Sequence, residues 1–165
     1  MKVSIVEDHD VQGIFVRACG IFDLKQMVFM IHTVSGLDLY VDNIPILLDM
    51  RDMVFKASPA DMISVARTKR IKDASRRTAI VNDTELGFGM IRILASVSDV
   101  GSLRTQAFRN IEDGLVWLYP HGRIRALPGT VANLHQQRIG GHLDGDDSLQ
   151  IFQDAIGLQD RVNPA

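Results

Sequence analysis

Cysteine is almost absent from this chain. Cys19 is the only one in 165 residues, which excludes an intramolecular disulfide and any zinc site built on C-x-x-C spacing. Cys19 lies in the apolar run Ile14–Cys19 and reads as a buried, inert thiol. Long apolar runs are also missing. None approaches the ~18 residues of a membrane-spanning helix. The opening MKVSIVEDHD reaches Glu7 before an apolar signal core has room to form. The expectation is a cytoplasmic protein with no membrane span. Excess charge is small: the net charge of -2 supplies no global attraction to nucleic acid. There is no P-loop, nucleophile elbow or H-E-x-x-H helix, and Arg92 stands where G-x-G-x-x-G needs its third glycine. With no catalytic set, cofactor motif or metal motif, the chain reads as non-enzymatic.

What is present is ordinary globular material. A hydrophobic fraction of 46% with 23% charged residues suits one packed domain with an extension. Val3–Val6 reads as a short strand, Glu7–Asp10 as a turn, and Gly13–Cys19 as a second, antiparallel strand. Asp23 caps a helix carrying Leu24, Met27, Val28, Ile31 and Val34, closed by Gly36. Ile44–Asp49 is the third strand. Ser58-Pro59-Ala60-Asp61 starts a helix: serine caps, proline suits the first helical position, and aspartate suits the positive end of the dipole. Met62, Val65 and Ala66 form its buried face. Thr78–Val81 is a fourth strand. Thr84 caps a helix whose apolar face is Leu86, Met90, Ile93, Leu94 and Val97. Leu103–Phe108 is a fifth strand, and Asn110 leads into a last helix, Ile111–Leu118. The order β-β-α-β-α-β-α-β-α predicts a mixed, mainly parallel five-stranded α/β sheet whose first strand is an antiparallel edge.

Composition changes after Leu118. Residues 119–165 hold no lysine and no glutamate but three of the five histidines, and read as a partly ordered extension to a domain of residues 1–118. Ser148–Ile156 suits a short amphipathic helix. His121, His135 and His142, with Asp144, Asp146 and Asp147, match no compact metal-ligand spacing. Arg67, Lys69, Arg70, Lys72, Arg76 and Arg77 cluster without interleaved aromatics, which suits a solvated helix end rather than nucleic acid.

Chemistry in open α/β sheets sits outside the carboxyl ends of the strands. The third strand is read as ending at Asp49, with Arg51 and Asp52 following at once. Convergence of the strand ends would gather Asp49, Arg51 and Asp52 with Asn82, Asp83, Arg109 and Asn110 into a polar crevice for a ligand or a partner's side chains. An Asp49–Arg51 or Asp52–Arg109 ion pair would be the purely structural use of the same groups. Gly87 and Gly89 flank Phe88 in the first turn of the following helix. They either admit a ligand to the helix end or let the helix pack closely.

These elements, with TAIVND-TELGFGMIRIL at Thr78–Leu94 and FRNIEDGLVWL at Phe108–Leu118, resemble the SpoIIAA-like (STAS-like) family of bacterial domains, relatives of the sporulation anti-anti-sigma factor. In that group a strand ending in a polar pair, then L-G-F-G and a helix, and a final F…EEALAWL segment recur. The resemblance covers about Met1–Leu118. It implies a regulatory or protein-binding module, and it places Ser58 at the position that a kinase modifies in phosphorylatable members. Here Ala57 replaces the preceding aspartate and Pro59 follows. The residues themselves make Ser58 a helix cap.

KVSIVEDHD and ILLDM also resemble the first and third strands of a response-regulator receiver, with Asp8 in the acidic pair and Asp49 as phosphoacceptor. A receiver needs a helix where Gly13–Cys19 reads as strand. It also needs a strand-end lysine where this chain has Arg109. A further alternative is a carrier of a small or lipid-type ligand in a pocket lined by Phe55, Phe88, Met90 and Met62. Partner and ligand stay open at this point, with a homodimer as the default assembly.

Overall fold

The computed structural model describes residues 1–37, 40, 44–68, 76–98 and 104–120. Strands rich in β-branched and aromatic residues alternate with capped amphipathic helices, in the order β1 (Lys2–Asp8), β2 (Gly13–Phe22), α1 (Leu24–Ser35), β3 (Ile46–Phe55), α2 (Pro59–Thr68), β4 (Arg77–Val81), α3 (Glu85–Ser98), β5 (Arg104–Phe108) and α4 (Ile111–Leu118). The strands lie in one sheet in chain order, β1-β2-β3-β4-β5. β1 is antiparallel to β2, and the other neighbours are parallel. This is the mixed α/β sheet that the pattern predicts.

Side-chain alternation sends each strand's residues to two faces. One face carries the main core: Ile14, Val16, Ala18, Ile46, Leu48, Met50, Met53 and Ile80, covered by Met27 and Met30 of α1, Met62 of α2, and Met90 and Ile91 of α3. The other face is narrower. Phe15, Leu47, Ala79 and Val81 are covered there by Ile111, Leu115 and Leu118 of α4 and by Tyr119 just beyond it. Each large apolar side chain taken fully out of water contributes roughly 1.5–3 kcal/mol. Phe15, Ile14 and Met27, at 0–1% exposure, hold the two layers to the sheet.

The helix starts are local events. Asp23 accepts the Gln26 N–H at 2.9 Å, and Asn110 accepts the Asp113 N–H at 2.8 Å. Ser58 and Asp61 cap reciprocally: Ser58 Oγ accepts the Asp61 N–H at 3.2 Å, while Asp61 Oδ2 accepts from the Ser58 N–H and Oγ at 2.7 and 2.8 Å.

Four expectations are corrected. β3 does not end at Asp49; only its pairing with β4 ends there, while its pairing with β2 continues to Phe22↔Phe55. Leu86 is 65% exposed, and the buried stripe of α3 runs instead through Gly87, Met90, Ile91 and Ala95, because a glycine takes the inward position of the first turn. Cys19 is half-buried rather than buried. Its neighbour Ala18 points into the main core, so Cys19 points to the other face. The receiver arrangement also fails. A strand rather than a helix follows β1, and the antiparallel register puts Asp8 opposite Gly13 while Asp49 lies opposite Arg17. Four residues of strand, about 13 Å, separate those two levels. The basic cluster between Lys69 and Lys72 and the histidines and aspartates of 121–165 lie outside the described residues, as does Ser148–Ile156.

Candidate functional site

A register shift shapes the carboxyl half of β3. Arg17 pairs with Asp49, but Cys19 pairs with Asp52, so β3 carries one extra residue across that interval. Met50 and Met53 are three apart, yet both enter the main core. In a regular strand they would point to opposite faces. The extra residue resolves this and leaves Arg51 and Asp52 side by side between the two methionines, a device that bulges supply.

The result is a strip of charge on β2 and β3. Asp49 accepts two hydrogen bonds from the Arg51 guanidinium, from Nε and Nη2, both at 2.9 Å, and a third from the Arg51 backbone N–H at 3.2 Å. The Asp49 side chain is 5% exposed and that of Arg51 31%, so the carboxylate is buried and the cation reaches water. The bond to Asp49 raises the Arg51 pKa; burial opposes this, and the charges of Asp49, Asp83 and Asp52 add to it. Asp52 is bound by Arg17, Nη2 to Oδ2 at 2.6 Å. Asp49, Arg51 and Asp52 thus lie together in this strip, and Asp83 is near enough for its charge to act on Arg51. The expected Asp49–Arg51 pair forms. Asp52 turns to Arg17 instead of Arg109. Arg17 was not among the sequence candidates; its signal was a lone charge inside the apolar strand GIFVRAC.

Asn82 lies beside the strip but is wholly buried. Its Nδ2 donates to the Met50 carbonyl at 2.6 Å, and its Oδ1 accepts from the Thr84 N–H at 3.0 Å and Thr84 Oγ1 at 2.7 Å. Thr84 Oγ1 in turn accepts the Gly87 N–H at 3.1 Å, capping α3. This chain of bonds ties β3, the end of β4 and α3 together. Asn82 and Gly87 thus serve the framework: a Cβ on Gly87 would collide with the Asn82 side chain. Gly89 is exposed, and an added Cβ there meets nothing within 4 Å.

Arg109 forms a separate surface group. It bonds Glu85 Oε2 at 2.9 Å and the Asp83 carbonyl at 3.3 Å, and it lies 4.3 Å over the Phe88 ring. Ser58 is not brought to the strip. β3 runs six residues from Asp49 to Phe55, about 20 Å of strand, before the chain turns into α2.

Beyond the charges, Ile21 and Val54 are cross-strand partners left 46% and 59% exposed. The four side chains named for a carrier pocket take these places. Met62 and Met90 are core residues, Phe55 packs on Phe22 at 5.2 Å, and Phe88 lies under Arg109. Among the described residues no cluster of histidine, cysteine or carboxylates suits a metal ion, and no helix is long and apolar enough to cross a membrane.

No family model matches the chain, and no curated protein does. Among solved structures, it is similar to an uncharacterized protein of the DUF3478 family from Shewanella loihica, described as having a SpoIIAA-like fold. The likeness covers 70% of this chain and 91% of that one, at 18% identity and a TM-score of 0.43. The element order and the five-stranded mixed sheet seen here make this chain an α/β domain.

Proposed function

We propose that the protein is a regulatory, protein-binding STAS-like module that docks a partner through the carboxyl half of the β2–β3 ribbon. The observation that carries this reading is the exposed Ile21–Val54 pair adjoining the Arg17–Asp52 ion pair. An apolar centre edged by charges of both signs is the composition of a docking patch, where apolar contact supplies affinity and the charges select the partner. Asp49 and Arg51 hold the strip in shape beneath it. Ser58 caps α2, four residues after Val54. A phosphoryl group on its Oγ would set a dianion against Asp61 and would act by breaking the α2 cap. The domain of residues 1–118, in a cytoplasmic setting and without catalysis, is the unit of this reading, with residues 119–165 as an extension and a homodimer as its assembly.

The test is affinity capture from the host's own lysate with wild type, Asp52→Arg and Val54→Asp, followed by binding measurements on the captured partner in purified form. Loss of about tenfold or more in affinity for both variants, at an unchanged melting temperature, supports the reading. Equal binding by all three sinks it.

A further inference from the structure

β1 closes one side of the sheet, and among the described residues no strand pairs with its outer edge. Such an edge carries a row of backbone donors and acceptors, and natural sheets keep open edges short. β1 is seven residues long. Val3 and Ile5 pack against the main core and Val6 against the second, yet all three are only half-buried. The strand is apolar in its middle on both faces and charged at its ends.

Those charges have opposite signs. Lys2 starts the strand, and Glu7 and Asp8 finish it. Asp8 is held in place: its Oδ1 accepts the N–H groups of Asp10 and Val11 at 3.0 and 3.1 Å, which fixes the carboxylate at the strand end. An antiparallel copy of the same strand reverses the order of charge. Full overlap of Lys2–Asp8 with a second Lys2–Asp8 puts a two-fold axis at Ile5. Lys2 then lies opposite Asp8 of the second copy, at both ends of the ribbon. Ile5 meets its own equivalent, and Ser4 meets Val6. Each pair shares one face of the sheet, because the paired numbers have the same parity. Opposite charges in directly opposed cross-strand pairs attract. Moving the axis to Ser4 or to Val6 loses the match, since Lys2 then meets Val6, or Asp8 meets Ser4. The other edge strand offers no match of this kind. β5 carries one charge, Arg104, which full self-overlap sets against Phe108.

We infer that β1 docks antiparallel on β1 of a second copy, about Ile5, so that one sheet runs through both chains. The contact is isologous and closes on itself, as a two-fold interface requires. It rests on the homodimer of the reading above and names the surface that forms it. Strand pairing runs in the plane of the sheet, whereas the docking strip lies on a face, so each is tested separately.

The experiment is sedimentation velocity on the full chain, comparing wild type with Lys2→Glu and Asp8→Lys. Each variant alone sets like charges against each other at both ends and should weaken the dimer by about tenfold or more. An equimolar mixture of the two variants puts opposite charges back at both ends. It should form a heterodimer within about threefold of the wild-type affinity. Asp8→Lys also removes the turn bonds. Should it fail to fold, Lys2→Glu and amide hydrogen exchange on the wild type decide. Alternate β1 amides, those directed away from β2, should be protected in concentrated protein and exchange freely on dilution. A chain that stays monomeric at about millimolar concentration overturns this inference and the homodimer together. A dimer that the variants leave unchanged, or that mixing fails to restore, overturns the edge pairing alone. So does protection of those amides at every dilution, the result expected if another segment of this chain covers the edge. Asp52→Arg and Val54→Asp should leave the dimer intact, which separates a failure here from a failure of the docking strip.

Discussion

Gly87 is glycine because the Asn82 side chain occupies the space where its Cβ would lie. Asn82 cannot yield easily. It is wholly buried and holds the Met50 carbonyl and two groups of Thr84. Gly87→Ala should therefore destabilise by about 1–3 kcal/mol despite alanine's better helix propensity. Urea denaturation measures it. A stability equal to or above wild type would show that the helix shifts freely and that the contact is incidental.

Gly89, two residues on, should respond with the opposite sign. It lies inside α3, and a methyl group there meets nothing within 4 Å. Gly89→Ala should stabilise by about 1 kcal/mol through helix propensity alone. The same urea titration reads it, and a loss of stability would reveal a contact that the described residues do not contain.

The two ion pairs of the strip should differ sharply. Asp49 is the buried partner of its pair, at 5% exposure, so Arg51→Met strands a carboxylate away from water and should cost about 3 kcal/mol. Asp52 is 54% exposed, and Asp52→Ala should cost no more than about 1 kcal/mol. Chemical denaturation of the two variants side by side checks the ranking. Equal costs would mean that water reaches Asp49.

The cap of α2 should be acid-sensitive. Bonds from the Ser58 N–H and Oγ hold the Asp61 carboxyl below its ordinary pKa. A depressed folded pKa adds stability that is present above the unfolded value and is lost as pH falls through the folded one. The cap should thus be intact at neutral pH and loosen below about pH 4. Melting temperatures of wild type and Asp61→Asn, compared from neutral to acid pH, should converge toward the acid end. A constant difference would show that the charge on Asp61 contributes nothing.

The helix starts at Asp23, Ser58 and Asn110 were legible because capping is decided within three or four residues. The main-core strands were legible from apolar runs. Leu86 misled because hydrophobicity alone assigns a leucine to the inward face, when the inward position of that turn belongs to a glycine facing Asn82. Of the candidate site, Asp49, Arg51 and Asp52 stood out as charges after an apolar run, but they lie inside β3, which runs on to Phe55. Arg17 did not stand out, since its partner lies thirty-five residues away.

Sequence alone determined the element order, the antiparallel first strand and the α/β class, since each rests on periodicity and caps that act over a few residues. Only the tertiary structure decided where β3 stops, which arginine takes which aspartate, and why Gly87 carries no side chain. These depend on register between strands and on the approach of a helix to a strand end, distances that close only when residues far apart in the chain are packed together.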